Sequence, residues 1–371
     1  MNDLNIIIGV MGWIALIIAA ILYIKARKAK LESQRRRQEL EEKNPKVVVI
    51  GGGTGQSVFL RGLKYYTNNI TAIVTVADDG GGSGVLREDL GMLPPGDIRN
   101  CLLALANIEP TMNEVMQYRF EEGCLKGQSF GNLFLAAMTG LYGNFETAVS
   151  KLGEIFAITG KVYPVTLEDV NLVAELGNGK VVEGESAIPK ACKKEKTYIK
   201  RLKLDRDNIE PLKEVIYAIK NADIIIMGPG SLYTSVIPNL LVDGVVDAIK
   251  NSDAPKVYVG NVMTQPGETE KYNLYDHVNA IIEHTGEKKI LDYVIANKEI
   301  LNKDVFMRYN EDGAEQVLLD KKQRKSFEKL GIKVIESDLI EIKNNYIRHD
   351  AKNVSKVIMQ IISEEKNMKD N

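Results

Sequence analysis

The chain has 371 residues, 44% of them hydrophobic and 26% charged, with a formal net charge of −2. This ordinary globular composition excludes a wholly disordered or fibrous chain, and roughly 150 residues per domain allows two to three domains. Residues 1–46 hold 9 Lys and Arg against 5 Asp and Glu, leaving a body with 39 basic and 45 acidic residues; an acidic body argues against nucleic acid as a partner, because phosphate-backbone binding needs a basic footprint. Cys101, Cys124 and Cys192 show no C-x-x-C spacing. They point to a reducing compartment rather than a disulfide framework or a zinc site.

The first element is Ile6–Ile24, an uncharged run of 19 residues. As a helix it would reach about 28 Å, close to the thickness of a hydrocarbon core. Residues 1–24 therefore read as a transmembrane anchor. Lys25, Arg27, Lys28, Lys30, Arg35, Arg36 and Arg37 follow, and the positive-inside rule then places the main domain in the cytoplasm, on a single-pass membrane protein. A cleaved signal peptide would carry its charge ahead of the apolar run. Residues 25–45 read as a basic juxtamembrane tether ending at Asn44-Pro45, with 46–371 as the body.

The body alternates strands and helices. Lys46–Ile50 and Ile70–Val76 are β-branched runs on either side of an amphipathic segment, Gln56–Tyr66, which makes a βαβ unit. Further strands are expected at Asp223–Met227, Lys256–Gly260, Leu291–Ala296 and Lys333–Ile335. Helices are expected at Asp97–Ala106, Glu114–Glu121, Asn132–Leu141, Phe145–Phe156, Pro211–Asn221, Asn239–Lys250, Tyr272–His284 and Lys352–Glu364. This alternation predicts an α/β fold, a Rossmann-like parallel sheet with helices on both faces. Residues 162–206 differ: short β-like pieces surround Gly177-Asn178-Gly179, a hairpin turn signal, so this stretch reads as a small antiparallel insertion.

Four glycine-rich loops carry the chemistry. Gly51–Gly55 lies between strand and helix, where Gly52, Gly53, Thr54 and Gly55 can cradle a phosphate on bare N–H groups and the helix dipole. It is neither a Walker loop nor a strict G-x-G-x-x-G, since Gln56 stands where the last glycine belongs. Asp78-Asp79-Gly80-Gly81-Gly82-Ser83-Gly84 follows the second strand. Its two acids suit ribose hydroxyls or Mg²⁺ beside substrate phosphates, and Ser83 adds a donor. In Leu93–Asn100, Asp97 is placed as a helix N-cap and Arg99 and Asn100 can reach a phosphate; Gln128–Asn132 enters the next helix with Ser129 and Asn132 as donors. Gly228-Pro229-Gly230-Ser231 follows the Ile224-Ile225-Ile226 strand as a second anion-binding turn. The bland alternative for each is a tight turn or a capped helix. His277 and His284 share a helix face without a third ligand, and Tyr233 suits either core packing or stacking on a base.

These residues together, with the runs PPGDIRN, GPGSLYTS and NVMTQPGET, resemble the YvcK-type gluconeogenesis factors. That is a branch of the CofD-like superfamily, whose enzymatic member is 2-phospho-L-lactate transferase. The similarity spans Pro45 to Ile362 and implies a Rossmann-like fold. It also implies binding of a uridine-diphosphate sugar such as UDP-N-acetylglucosamine, with contacts near Tyr309 and at Arg348, and a role in cell-wall precursor supply and cell shape during gluconeogenic growth. The sequence departs from the family at Gly82, commonly Ser, and at Gln128, commonly His; the second change removes a candidate proton carrier. The expected function is therefore a UDP-sugar-binding regulator with no catalytic residue assigned. Its partner would be a protein of amino-sugar or cell-wall synthesis, and a homo-oligomer is left open. The alternative is a transferase of the 2-phospho-L-lactate type using a nucleotide diphosphate donor, with Asp78 and Asp79 holding Mg²⁺. A nicotinamide-dependent oxidoreductase ranks third, because no catalytic His or Tyr-Lys pair is evident.

Overall fold

The computed structural model describes residues 23–25, 27, 28, 44–343 and 346–370. All of the expected anchor but Tyr23 and Ile24, and most of the tether, lie outside the described residues. No helix among the described residues is long and apolar enough to cross a membrane. The chain divides after Pro45, and the second unit carries the fold.

It begins with β1 (Val47–Gly51), helix α1 (Gly53–Leu63), β2 (Ile70–Val74), α2 (Gly81–Leu90) and α3 (Gly96–Leu105). Helix α4 (Phe130–Tyr142), β3 (Lys161–Pro164), β4 (Leu172–Leu176), β5 (Val181–Glu183), α5 (Ala187–Glu195) and β6 (Ile199–Leu204) follow. The chain continues through β7 (Ile224–Met227), β8 (Lys256–Val259), α6 (Leu274–Thr285), β9 (Tyr293–Asn297) and α7 (Lys303–Glu311). It ends with β10 (Lys333–Ser337), β11 (Ile340–Lys343), β12 (Tyr346–His349) and α8 (Ala351–Asp370).

Seven strands form one sheet in the order β10-β9-β8-β7-β1-β2-β3, and every neighbouring pair is parallel. Strands step outward from β1 to β3; the chain then crosses to the other side of β1 and adds β7 to β10. The strand order thus reverses between β1 and β7. Every residue of β1, β7 and β9 is buried, as expected of parallel strands covered on both faces, whose sequences read as continuous β-branched runs. Full burial of each Val or Ile contributes about 1.5–3 kcal/mol.

The insertion is smaller than 162–206. Lys161–Pro164 joins the main sheet beside β2, on its edge, where a strand tolerates proline. The antiparallel part is the three-stranded sheet β5-β4-β6, with Gly177–Gly179 in the expected turn. It also contains an unforeseen helix, α5, which buries only Ile188 and Cys192. The single helix expected over Asn239–Lys250 is broken at Gly244, whose φ is 75°. The acidic glycine run is not an open loop either: helix α2 starts at Gly81. A second antiparallel hairpin, β11–β12, was not expected from the sequence.

The insertion is pinned to α6 by a histidine. The buried Leu202 N–H of β6 donates to His284 Nε2 at 2.9 Å, so Nδ1 carries the ring proton and donates to the Ala280 carbonyl at 2.7 Å. His284→Leu leaves a buried N–H without a partner, which costs about 1–3 kcal/mol. A urea midpoint that stayed at the wild-type value would show that the insertion does not depend on this contact.

Candidate functional site at the switch point of the sheet

In open parallel sheets, ligands bind outside the carboxyl ends of the strands where the order reverses. Here that point lies beyond β1 and β7, and both strands end in glycine loops. Gly53 has a φ of +64°, which lets the chain turn from β1 directly into α1. The side chain of Asn239 ties the two loops together, donating to the Gly51 carbonyl at 2.9 Å and to the Ser235 carbonyl at 2.7 Å. The loops touch at Gly55: a Cβ there would lie 2.7 Å from the Pro229 carbonyl oxygen and 2.9 Å from Gly230 Cα. Gln56, which breaks the dinucleotide fingerprint, is fully buried. Its Nε2 donates to Val49 and Ile73 carbonyls at 3.0 Å each, clamping β1 to β2.

A cavity of about 460 Å³ opens here. Among its lining residues are Gly52, Gly53, Thr54, Gly55, Gly230, Ser231, Tyr309 and Arg348, so residues from both glycine loops and both residues implied by the family resemblance converge on one space. Gly228, also expected in the site, is not among the lining residues; its N–H donates to the Ile50 carbonyl and ties the start of the fourth loop to β1. Ser231 Oγ accepts from Gln265 Nε2 at 2.6 Å, and Gln265 Oε1 is buried without a partner. The Tyr309 hydroxyl accepts from the Ile347 N–H at 2.6 Å and so holds β12 against α7. The Arg348 guanidinium lies 5.2 Å over the Tyr346 ring and makes no ion pair among the described residues.

A second group of polar residues adjoins the cavity. Asp97 is not a helix cap: it lies inside the first turn of α3, with no capping bond. Its Oδ2 instead accepts the Gly53 N–H at 2.6 Å. That takes one donor from the first loop and leaves the following N–H groups of the α1 turn for an anion. Asp78 accepts from the Gly80 N–H at 2.9 Å and from Ser83. Asp79 points elsewhere, accepting the Ser186 N–H at 2.9 Å and thus anchoring the insertion. Arg99 is buried; its Nη atoms donate to Ser129 Oγ and, at 2.7 Å, to Asn100 Oδ1. Ser129 also caps α4 by accepting the Asn132 N–H. Arg99 Nε, Gln128 Oε1 and Asn132 Oδ1 are buried without partners.

The electrostatics of this group were not legible in the sequence. Burial, then the charge of Asp78, pushes Asp97 up to about 7. Burial, then Asp78, Glu268 and the other acids facing it, pushes Glu185 up to about 8. Burial pushes Glu268 up to about 7 even though it accepts from Tyr233 and Thr234, and raises Asp78 as well. Burial lowers Arg99 to about 10. Glu185 comes from the insertion and Glu268 from the loop after β8, and neither carried a local signal. Carboxyls that titrate near neutrality suit proton transfer.

Among the described residues no group of three or more His, Cys, Asp or Glu is arranged to hold a metal ion. His277 and His284 are buried and bond to backbone carbonyls of their own helix. Tyr233 is buried, its hydroxyl 2.8 Å from that of Tyr272.

Fold and site together describe a doubly wound parallel α/β protein with its crevice at the switch point. The family model for 2-phospho-L-lactate transferase CofD matches residues 47–340. A Thermoanaerobacterium thermosulfurigenes relative is 59% identical over 318 residues, 86% of this chain and 97% of its own length. The gluconeogenesis factor of Bacillus subtilis (strain 168) is 45% identical over 321 residues, 86% of this chain and 99% of its own length. A crystal structure from Bacillus halodurans superposes with a TM-score of 0.81 at 46% identity, covering 85% of this chain and all of that one. The chain belongs to the CofD family, in its gluconeogenesis-factor branch.

Proposed function

We propose that this chain binds a uridine-diphosphate sugar, UDP-N-acetylglucosamine, at the switch-point cavity and regulates a protein partner in cell-wall precursor supply. One observation carries the reading: both glycine loops, Tyr309 and Arg348 face the same cavity of about 460 Å³. The loops supply N–H donors at a helix N-terminus for the diphosphate. Arg348 supplies a charged fork matched to phosphate oxygens. The cavity is within the size range of small-molecule sites. The apolar run at Ile6–Ile24 and the basic residues after it support a membrane-anchored form with this domain in the cytoplasm.

A second reading has one observation in its favour. Asp97, titrating near neutrality, sits against the first glycine loop, where a transferase would need a proton carrier. The carboxylates around it are the hard oxygen donors that Mg²⁺ takes, in sites completed by substrate phosphates and water. Asp78 suits that role better than Asp79, whose Oδ1 is committed to Ser186.

Calorimetric titration with UDP-N-acetylglucosamine, GDP and NAD, with and without Mg²⁺, separates these readings. UDP-N-acetylglucosamine is expected to bind and to survive incubation with stoichiometric protein, followed by phosphorus NMR. Arg348→Ala is expected to weaken binding about tenfold, or 1.4 kcal/mol. Steady conversion to a new phosphorus species, abolished by Asp78→Asn, would replace the regulator with the transferase.

A further inference from the structure

Beside the glycine-loop cavity lies a larger groove of about 1000 Å³, between α1 and the β11–β12 hairpin. Thr54, Val58 and Arg348 border both spaces. Its floor is tight: a Cβ on Gly62 would lie 2.6 Å from Ala351 Cβ and 2.7 Å from the Ala351 carbonyl carbon, so α1 and α8 meet there backbone to backbone. Arg61, Lys343 and Lys352 face the groove and make no ion pair among the described residues. Two acids, Glu341 and Asp350, share the lining with four cations, Arg61, Lys343, Arg348 and Lys352, so the groove is net positive; Asp350 accepts the Asn353 N–H at 3.0 Å at the start of α8. Two tyrosine rings flank the cations and are open to water, Tyr65 at 82% and Tyr346 at 59% exposure.

We infer that this groove is a second nucleotide site, distinct from the UDP-sugar cavity. A nucleoside phosphate has the two properties the walls complement: a flat base for Tyr65 and Tyr346 and phosphates for Arg61, Lys343 and Lys352. Stacking of a base on an aromatic side chain is favourable whichever base it is, and cations unpaired in the protein are free for phosphate. Each space has room for a ligand of its own: the cavity, at about 460 Å³, and the groove, at about 1000 Å³, both fall within the range of small-molecule sites. Arg348 links the sites, because it stacks on Tyr346 in the groove and lines the cavity. A ligand that repositions it in one site changes the affinity of the other, and the coupling is reciprocal. The identity of the first ligand rests on the proposed function; the groove's own chemistry does not.

The test is equilibrium dialysis of the full chain with radiolabelled ADP, alone and with saturating UDP-N-acetylglucosamine. One equivalent of ADP is expected to bind under both conditions, with different affinities. Arg61→Glu with Lys343→Glu, two exposed positions outside the glycine-loop cavity, is expected to lower ADP affinity about tenfold or more, with UDP-N-acetylglucosamine affinity held within about twofold. Full displacement of ADP by UDP-N-acetylglucosamine, ADP binding indifferent to the double substitution, or no ADP bound at millimolar concentration each overturns the inference. If ADP binds through Arg61 and Lys343 while UDP-N-acetylglucosamine does not bind at all, the groove stands and the UDP-sugar reading falls.

Discussion

Gly55→Ala is expected to remove most ligand affinity, by more than about tenfold or 1.4 kcal/mol, and to lower stability as well. Two effects oppose each other. Alanine is the better helix former by roughly 1 kcal/mol, and Gly55 lies within α1. Against that, the new methyl group would meet the Pro229 carbonyl oxygen at 2.7 Å, Gly230 Cα at 2.9 Å and Gly230 N at 3.0 Å. All three are backbone atoms, which cannot rotate away as a side chain would. Overpacking of this kind costs about 1–3 kcal/mol, so the clash wins and pushes the two glycine loops apart. Gly140→Ala is the control: it lies in helix α4 with nothing within 4 Å of its Cβ position, and the helix-propensity gain of up to about 1 kcal/mol acts there alone. Calorimetry and urea unfolding of both variants decide the matter. Wild-type ligand binding by Gly55→Ala would mean that the contact between the loops does not shape the site.

Raising the pH from about 6.5 to 8.5 is expected to destabilise the fold by roughly 1–3 kcal/mol, through the buried carboxyls. Asp97, Glu185 and Glu268 have ordinary values of 3.8, 4.5 and 4.5 and rise in the fold to about 7, 8 and 7. Below their ordinary values both states are protonated and the contribution is fully present; it is lost as pH rises through the folded values. Histidine acts in the opposite sense. Burial lowers His277, His284 and His349 below 6.5, so their contribution is present above 6.5 and lost as pH falls. Between about 4.5 and 7.5 the two sets oppose each other, because an unfolded histidine is still half protonated at about 6.5, whereas above about 7.5 the histidines are neutral in both states and the carboxyls dominate. Each proton held by the fold but not by the unfolded chain is worth about 1.4 kcal/mol per pH unit, reduced here by mutual coupling and partial exposure. Urea midpoints at the two pH values are the measurement, with Glu185→Gln expected to flatten the dependence. A wild-type profile with no fall above pH 6.5 would refute this account.

The strands were legible because their cause is local. Val47–Ile50 and Ile224–Ile226 are continuous β-branched runs, and such runs suit strands buried on both faces wherever they lie in a sheet. The glycine turns were legible for the same reason: a glycine run between a strand and a helix announces a close turn. Short or edge elements were harder to see. Lys161–Pro164 ends in proline, and α5 buries two side chains only, so neither carries enough pattern to separate strand, helix and loop. Tyr309 and Arg348 entered through the family resemblance; composition alone gives Arg348 as a surface charge.

The site's chemistry belongs to the tertiary structure. The sequence by itself determined a parallel α/β body and four glycine-rich segments with phosphate-binding character, because strand propensity and glycine conformation are properties of a few adjacent residues. Only the fold decided that the first and fourth segments share one cavity, that Asp97 holds Gly53 across 44 positions and that Asp79 serves the insertion. Only the fold placed Glu185 where the charge of Asp78 acts on it. The shared cavity follows from the strand order, which sets β7 against β1; the other contacts follow from the packing of α3 and the insertion against the loops after β1 and β2. Burial there then changes the proton affinity of side chains whose local sequence is that of ordinary surface acids.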